Sequence, residues 1–126
     1  MHMSLALWFA AAALALLFAA TGVMKLFESR EMLVADGQRW AASASPTFIR
    51  ALGAAEILGA FGLVLPGIVG VLPQVTAVAA AGLGVIMAGA AVVHIRRGEQ
   101  RAAAFAVVLL AVTVWIAWDR AGAVPF

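Results

Sequence analysis

The chain has 126 residues, enough for one domain, and is 66% hydrophobic and 11% charged with a mean hydropathy of +1.09. A water-soluble domain this small must cover itself with polar side chains; this one lacks them, so lipid is its expected solvent. Cysteine is absent, which excludes disulfides, thiolate metal sites and iron–sulfur ligation, and the formal charge of +2 comes from basic residues at segment ends rather than from the basic, aromatic-studded stripe of a nucleic-acid groove.

The first apolar run extends from Leu5 to Met24, with no charge until Lys25. About 20 such residues rise about 30 Å as a helix, the thickness of the hydrocarbon core. A cleaved signal segment is the alternative, but no Lys or Arg precedes the run and it is longer than an ordinary signal core. A retained span over about 5–25 is therefore expected.

Residues 26–46 form the one polar connection of any length, with Glu28, Arg30, Glu31, Asp36, Gln38 and Arg39 around the apolar cluster Met32-Leu33-Val34. That mixture predicts a short helical piece at the membrane surface, with Trp40 anchored at headgroup depth. Ser45-Pro46 is a helix-start signal, a hydroxyl cap followed by proline at the first helical position. The second span follows over about 47–65, and Pro66 and Pro73 are expected to bracket a tight apolar turn. The third span covers about 74–95 and ends in Arg96-Arg97-Gly98-Glu99. The fourth covers about 102–118 and closes with Asp119-Arg120.

Alanine and glycine inside these spans would weaken helices in water, yet in lipid the backbone has no other hydrogen-bond partner. No strand alternation is present. The predicted fold is all-α, a single transmembrane domain over 1–126 built as an integral membrane four-helix bundle.

Seven of the eight basic side chains lie in or beside the connections 26–46 and 96–101, and the other side has only Arg120. The positive-inside rule thus predicts both connections in the cytoplasm and both termini outside. Trp8, Trp115 and Trp118 then form an outer aromatic belt. Small residues mark where helices meet in lipid: Ala77, Ala80, Ala81, Gly84, Ala88 and Ala91 on the third span, Gly53, Gly59 and Ala60 on the second. Gly82-x-Gly84 is read as a packing feature rather than a phosphate loop.

Glu56 is the outstanding residue. It lies nine residues before Leu65, about 13 Å along the helix and near the midplane. A carboxylate there costs about 2.5–3.5 kcal/mol on insertion scales, so it faces the interior, takes a proton or has a partner. Arg50, six residues earlier, is turned about 120° away around the helix and does not pair with it directly. Lys25 and His94 end the first and third spans on the same side. Lys25, Arg50, Glu56 and His94 together outline a polar funnel from the basic edge toward mid-membrane.

Two main readings of that set stand side by side, with an interface to another subunit as the third. In one, Lys25 and Arg50 snorkel to phosphates and Glu56 is a hydrogen-bonded tie between helices. In the other, the four residues form a ligand, proton or quinone-headgroup site. Haem within one protomer is not expected, because His2, the other histidine, lies at the opposite face. Zinc and di-iron sites need more His and carboxylate neighbours, and nucleophile motifs are missing. No catalytic residue and no metal ligand is assigned.

Thr21-Gly22-Val23-Met24-Lys25-Leu26 resembles the DoxX-like family of small four-helix membrane proteins. So do Arg50-Ala51-Leu52-Gly53-Ala54-Ala55-Glu56-Ile57-Leu58-Gly59, running on through Gly62-Leu63-Val64-Leu65-Pro66, and Met87-Ala88-Gly89-Ala90-Ala91-Val92-Val93-His94-Ile95-Arg96-Arg97-Gly98-Glu99. The resemblance implies a four-helix bundle in the inner membrane of bacteria. It also implies an association, known for some relatives, with quinone-linked sulfur oxidation or oxidative-stress assemblies. The expected role is first a non-catalytic subunit or assembly partner of a membrane complex, or a homo-oligomer, in contact with the lipid bilayer. The alternative is a quinone- or lipid-binding component of an oxidoreductase system, and a small oligomeric transporter comes third. No cofactor is expected beyond a bound quinone or lipid, and no nucleic acid as partner.

Overall fold

The computed structural model describes residues 2–70 and 72–122, with side chains from Leu5 onward. The imidazole of His2 and residue Val71 of the expected turn lie outside the described residues. The described residues are mainly helical, with no strand among them: α1 (His2–Phe27), α2 (Arg30–Ala35), a 3-10 turn (Arg39–Ser43), α3 (Pro46–Val69), α4 (Pro73–Arg96) and α5 (Gln100–Ala121). The long helices α1, α3, α4 and α5 are each long and apolar enough to cross a bilayer, over Leu5–Phe27, Pro46–Val69, Pro73–Arg96 and Gln100–Ala121. The all-α, four-span architecture expected from hydropathy is the one observed.

Local signals set the helix ends. Ser45 is the N-cap of α3, its hydroxyl accepting from the Phe48 N–H at 3.1 Å, with Pro46 in the first turn. Ser29 caps α2 in the same way through the Met32 N–H, at 3.0 Å. The turn between the second and third spans differs from expectation. Pro66 lies inside α3, which continues to Val69 and stops at Gly70 in a left-handed conformation with φ 76°. Residues 67–69 thus add helical hydrogen bonds where lipid offers no others, and the connection shrinks to 70–72.

The helices pack as two antiparallel pairs, α1 on α3 and α4 on α5, joined along α3 and α4; α1 meets α5 far less than it meets α3. The main core follows helical spacing along α1, with Leu7, Ala11, Leu14 and Phe18 meeting Leu63 of α3, Leu83 of α4 and Ile116 of α5. A second cluster of Leu33, Ala41 and Ile49 seats α2 and the 3-10 turn on the end of the bundle.

Glycine decides how close α1 and α3 approach. A Cβ on Gly22 would fall 2.7 Å from the Gly53 carbonyl, and one on Gly53 2.7 Å from the Gly22 carbonyl, so the two backbones touch directly. On α4 the expected small-residue face divides in two. Ala77, Ala80, Gly84 and Ala91 are buried, whereas Ala81 is exposed and Ala88 half-buried. Gly84 packs against Thr113 of α5, but Gly82 has open space around it; only one member of that pair serves packing.

Candidate functional site

The carboxylate of Glu56 is built into the contact between α1 and α3, and its residue is 2% exposed. One turn before it on α3, Gly53 lets α1 come close enough to bring Thr21 and Lys25 within reach. The Thr21 hydroxyl donates to Glu56 Oε1 at 2.6 Å. Lys25 Nζ lies 3.1 Å from both Oε1 and Oε2. Thr21 and Lys25 are four residues apart, hence on one face of α1. A carboxylate held by an ammonium and a hydroxyl has the charge partner that a buried position demands.

Lys25 therefore points inward rather than out to the lipid phosphates. Its ammonium also lies 5.9 Å from the ring centroid of Trp40, within cation–π range. Trp40 belongs to the 3-10 turn, and its indole N–H donates to Gln38 Oε1 at 3.2 Å. Trp40, expected at headgroup depth, leans over the buried ion pair.

These groups border a cavity of about 640 Å³. Its walls are Phe18, Thr21 and Lys25 of α1, Phe48, Leu52 and Glu56 of α3, Gly89, Ala90 and His94 of α4, and Phe105 and Ala106 of α5, with Gln38 and Trp40 at the α2 end. The lining is mostly apolar with a few convergent polar groups, in the size range that encloses drug-sized ligands. The cavity lies between α1 and α5, which meet only slightly, and is lined from both of them, by Phe18, Thr21 and Lys25 on one side and Ala102, Phe105 and Ala106 on the other.

Of the four residues expected in the funnel, three line this cavity and Arg50 does not. Its guanidinium donates to the carbonyl of Lys25 and, at 2.8 Å, to that of Glu28. Lys25 lies in the last turn of α1 and Glu28 just past its end at Phe27, so Arg50 caps the C-terminus of that helix. As expected, it makes no contact with Glu56. Thr21, Gln38 and Phe105 were not singled out from sequence; only the four-residue spacing of Thr21 and Lys25 could have pointed to the first of them.

His94 sits at the cavity edge, its Nδ1 2.7 Å from Glu99 Oε1, while Arg97 Nε approaches Glu99 Oε2 at 3.4 Å. The His94 hydrogen bond, and secondarily Arg97, hold the Glu99 carboxyl below its ordinary value of 4.5. A depressed carboxyl stabilises the fold above the ordinary value and loses that contribution as pH falls through the depressed one. Acidification below 4.5 is thus expected to loosen the α4–α5 turn, and Glu99→Gln to flatten that limb of a thermal melt against pH in detergent. An unchanged acid limb in the variant would remove Glu99 as its cause. At the other connection Glu28 moves the opposite way, raised above 4.5 first by hydrogen bonding with Asp36, then by burial and by the Asp36 charge.

Among the described residues no group of three His, Cys, Asp or Glu is placed to hold a metal. No curated protein matches this chain, and no solved structure matches it. A family model does: residues 9–116 match the model of the DoxX-like family, a stretch that takes in Thr21, Lys25, Glu56, His94 and both helix pairs. With four spans arranged as a bundle and most of its length covered by that match, this small polytopic membrane protein belongs to the DoxX-like family.

Proposed function

We propose that the protein binds an amphiphile of the bilayer, a quinone or a lipid, in the cavity beside Glu56 and Lys25. It would do so as the membrane component of an oxidoreductase system. The observation that supports this reading is that Glu56 and Lys25 border an apolar cavity of about 640 Å³ instead of being sealed between packed helices. A tie that served only to join α1 and α3 has no need of that space. The aromatic rings of Phe18, Trp40, Phe48 and Phe105 suit a flat headgroup, and the slight contact between α1 and α5 suits entry from the membrane. The oxidoreductase setting comes from the family resemblance.

Gly89 offers a direct test, because it lines the cavity and a Cβ there meets nothing within 4 Å. Purification in mild detergent followed by solvent extraction and mass spectrometry is expected to yield a near-stoichiometric quinone or lipid from the native chain. Gly89→Leu, which fills the space without touching the polar groups, is expected to fold normally and lose it. Equal recovery from both proteins would sink the reading.

A second reading, a non-catalytic subunit of a membrane complex or a homo-oligomer, is favoured by one feature. Ala81, Gly84, Ala88 and Ala117 form a shallow groove on α4 and α5 beside Trp118, which is 81% exposed. Such a groove suits a helix of another chain.

The proposed topology, in a bacterial inner membrane, has the α2 end in the cytoplasm and both termini outside. The absence of native cysteine makes this simple to check. In intact cells a membrane-impermeant maleimide is expected to label Ala121→Cys and not Gln100→Cys. The reverse pattern would invert the orientation.

A further inference from the structure

We propose that the cavity selects uncharged headgroups that accept hydrogen bonds and excludes anionic ones, with Glu56 as the specificity-determining residue. This rests on the amphiphile-binding reading above.

The argument is a count of charge and of free donors. The charged or titratable side chains that line the cavity are Lys25, Glu56 and His94. Lys25 and Glu56 cancel, with the ammonium 3.1 Å from both carboxylate oxygens. His94 is held by Glu99, whose second oxygen takes Arg97. Arg50 faces the carbonyls of Lys25 and Glu28, while Arg96 and Arg101 are exposed and outside the lining. No lining cation is left over to neutralise a phosphate or carboxylate, and an anion entering this apolar space without a counter-charge is heavily penalised.

What remains on offer are donors. Lys25 has three N–H groups, and the two Glu56 oxygens engage only part of them. The Gln38 oxygen accepts from Trp40, which fixes the amide and leaves its NH₂ to donate. His94 commits Nδ1 to Glu99, and the Nε2 of the neutral ring accepts rather than donates, so the donors on offer are those of Lys25 and Gln38. Donors without net charge, set among aromatic rings, match a carbonyl-bearing neutral headgroup. A quinone and a neutral glyceride both have that chemistry.

The roles of the pair follow. Lys25 is the donor that a ligand carbonyl meets, and Glu56 cancels the charge that would otherwise attract anionic lipid. Removing the carboxylate while keeping the lysine should convert a neutral site into an anion site.

The test reads quenching or displacement at Trp40, left as the only tryptophan by Phe substitution of Trp8, Trp115 and Trp118, in phosphatidylcholine nanodiscs. Three probes share a ten-carbon chain: an alkylquinone, a monoacylglycerol and an alkyl phosphate. The unaltered pair is expected to bind at least one uncharged probe saturably, and the phosphate at least about tenfold more weakly. Which uncharged probe binds tells the quinone source from the glyceride source. Glu56→Gln is expected to tighten the phosphate by about tenfold or more, and Lys25→Met with Glu56→Gln to abolish that gain. Phosphate binding equal to the uncharged probes in the unaltered pair would overturn the charge rule and leave amphiphile binding standing. So would a Glu56→Gln protein with unchanged preference. Saturable binding by none of the probes would instead remove the amphiphile reading itself. Should Glu56→Gln not fold, the unaltered pair and the charge-free double variant decide the matter.

Discussion

Glu56→Leu alone is expected to destabilise the bundle by about 3–5 kcal/mol, and Lys25→Met with Glu56→Leu to recover most of that loss. Glu56 and Lys25 are 2% and 6% exposed, and each is the other's charge partner. Deleting the carboxylate strands an ammonium in an apolar setting, where desolvation is no longer offset. Deleting both leaves two apolar side chains of similar bulk, which often costs nothing and can stabilise. Lys25→Met alone should be as damaging as Glu56→Leu. Reversible unfolding in mixed micelles, followed by circular dichroism, gives the four corners of the cycle. Additive single effects would mean that the pair is not coupled. The cycle bears on stability alone and is independent of whether a ligand binds beside the pair.

The second large effect is predicted at a residue with no side chain. Gly53→Ala is expected to cost about 1–3 kcal/mol or more, a high figure for one methyl group. Its Cβ would sit 2.7 Å from the Gly22 carbonyl and 2.8 Å from Lys25 Cβ, and the first of these is backbone that moves only if α1 moves. Separating α1 from α3 also draws Lys25 and Thr21 away from Glu56, so packing and the ion pair fail together. Gly82→Ala is the control, since nothing lies within 4 Å of the new methyl. It should be neutral or slightly stabilising because alanine is the better helix former. Equal melting of the two variants would show that the α1–α3 contact has slack.

Both predictions turn on the same fact. The α1–α3 contact is close because Gly22 and Gly53 permit it, and that closeness is what allows a lysine on one helix to reach a glutamate on the other. The proposed amphiphile site depends on it in turn, since Thr21 and Lys25 of α1 and Glu56 of α3 line the cavity side by side.

Hydropathy and local capping chemistry alone determined the four spans, the Ser45-Pro46 helix start, the place of Glu56 inside the second span and the grouping of basic residues at the segment ends. These are properties of short stretches, fixed by transfer of side chains to lipid and by hydrogen bonds within a few residues. The motif resemblance was legible too, and the match over residues 9–116 makes it membership. The tertiary structure alone decided how each helix is turned about its axis. The spans are nearly apolar all round, so helical periodicity says little about which face turns inward. That is why the sequence placed Glu56 but not its partners, and grouped Lys25, Arg50 and His94 without separating Arg50, which caps α1, from the two that line the cavity. It is also why Gly82 and Gly84 looked alike, although only Gly84 meets a neighbouring helix. The helical continuation through Pro66 and the cavity depend on the mutual placement of whole helices. Rotation and spacing are settled by packing between segments far apart in the chain, and no local pattern encodes them.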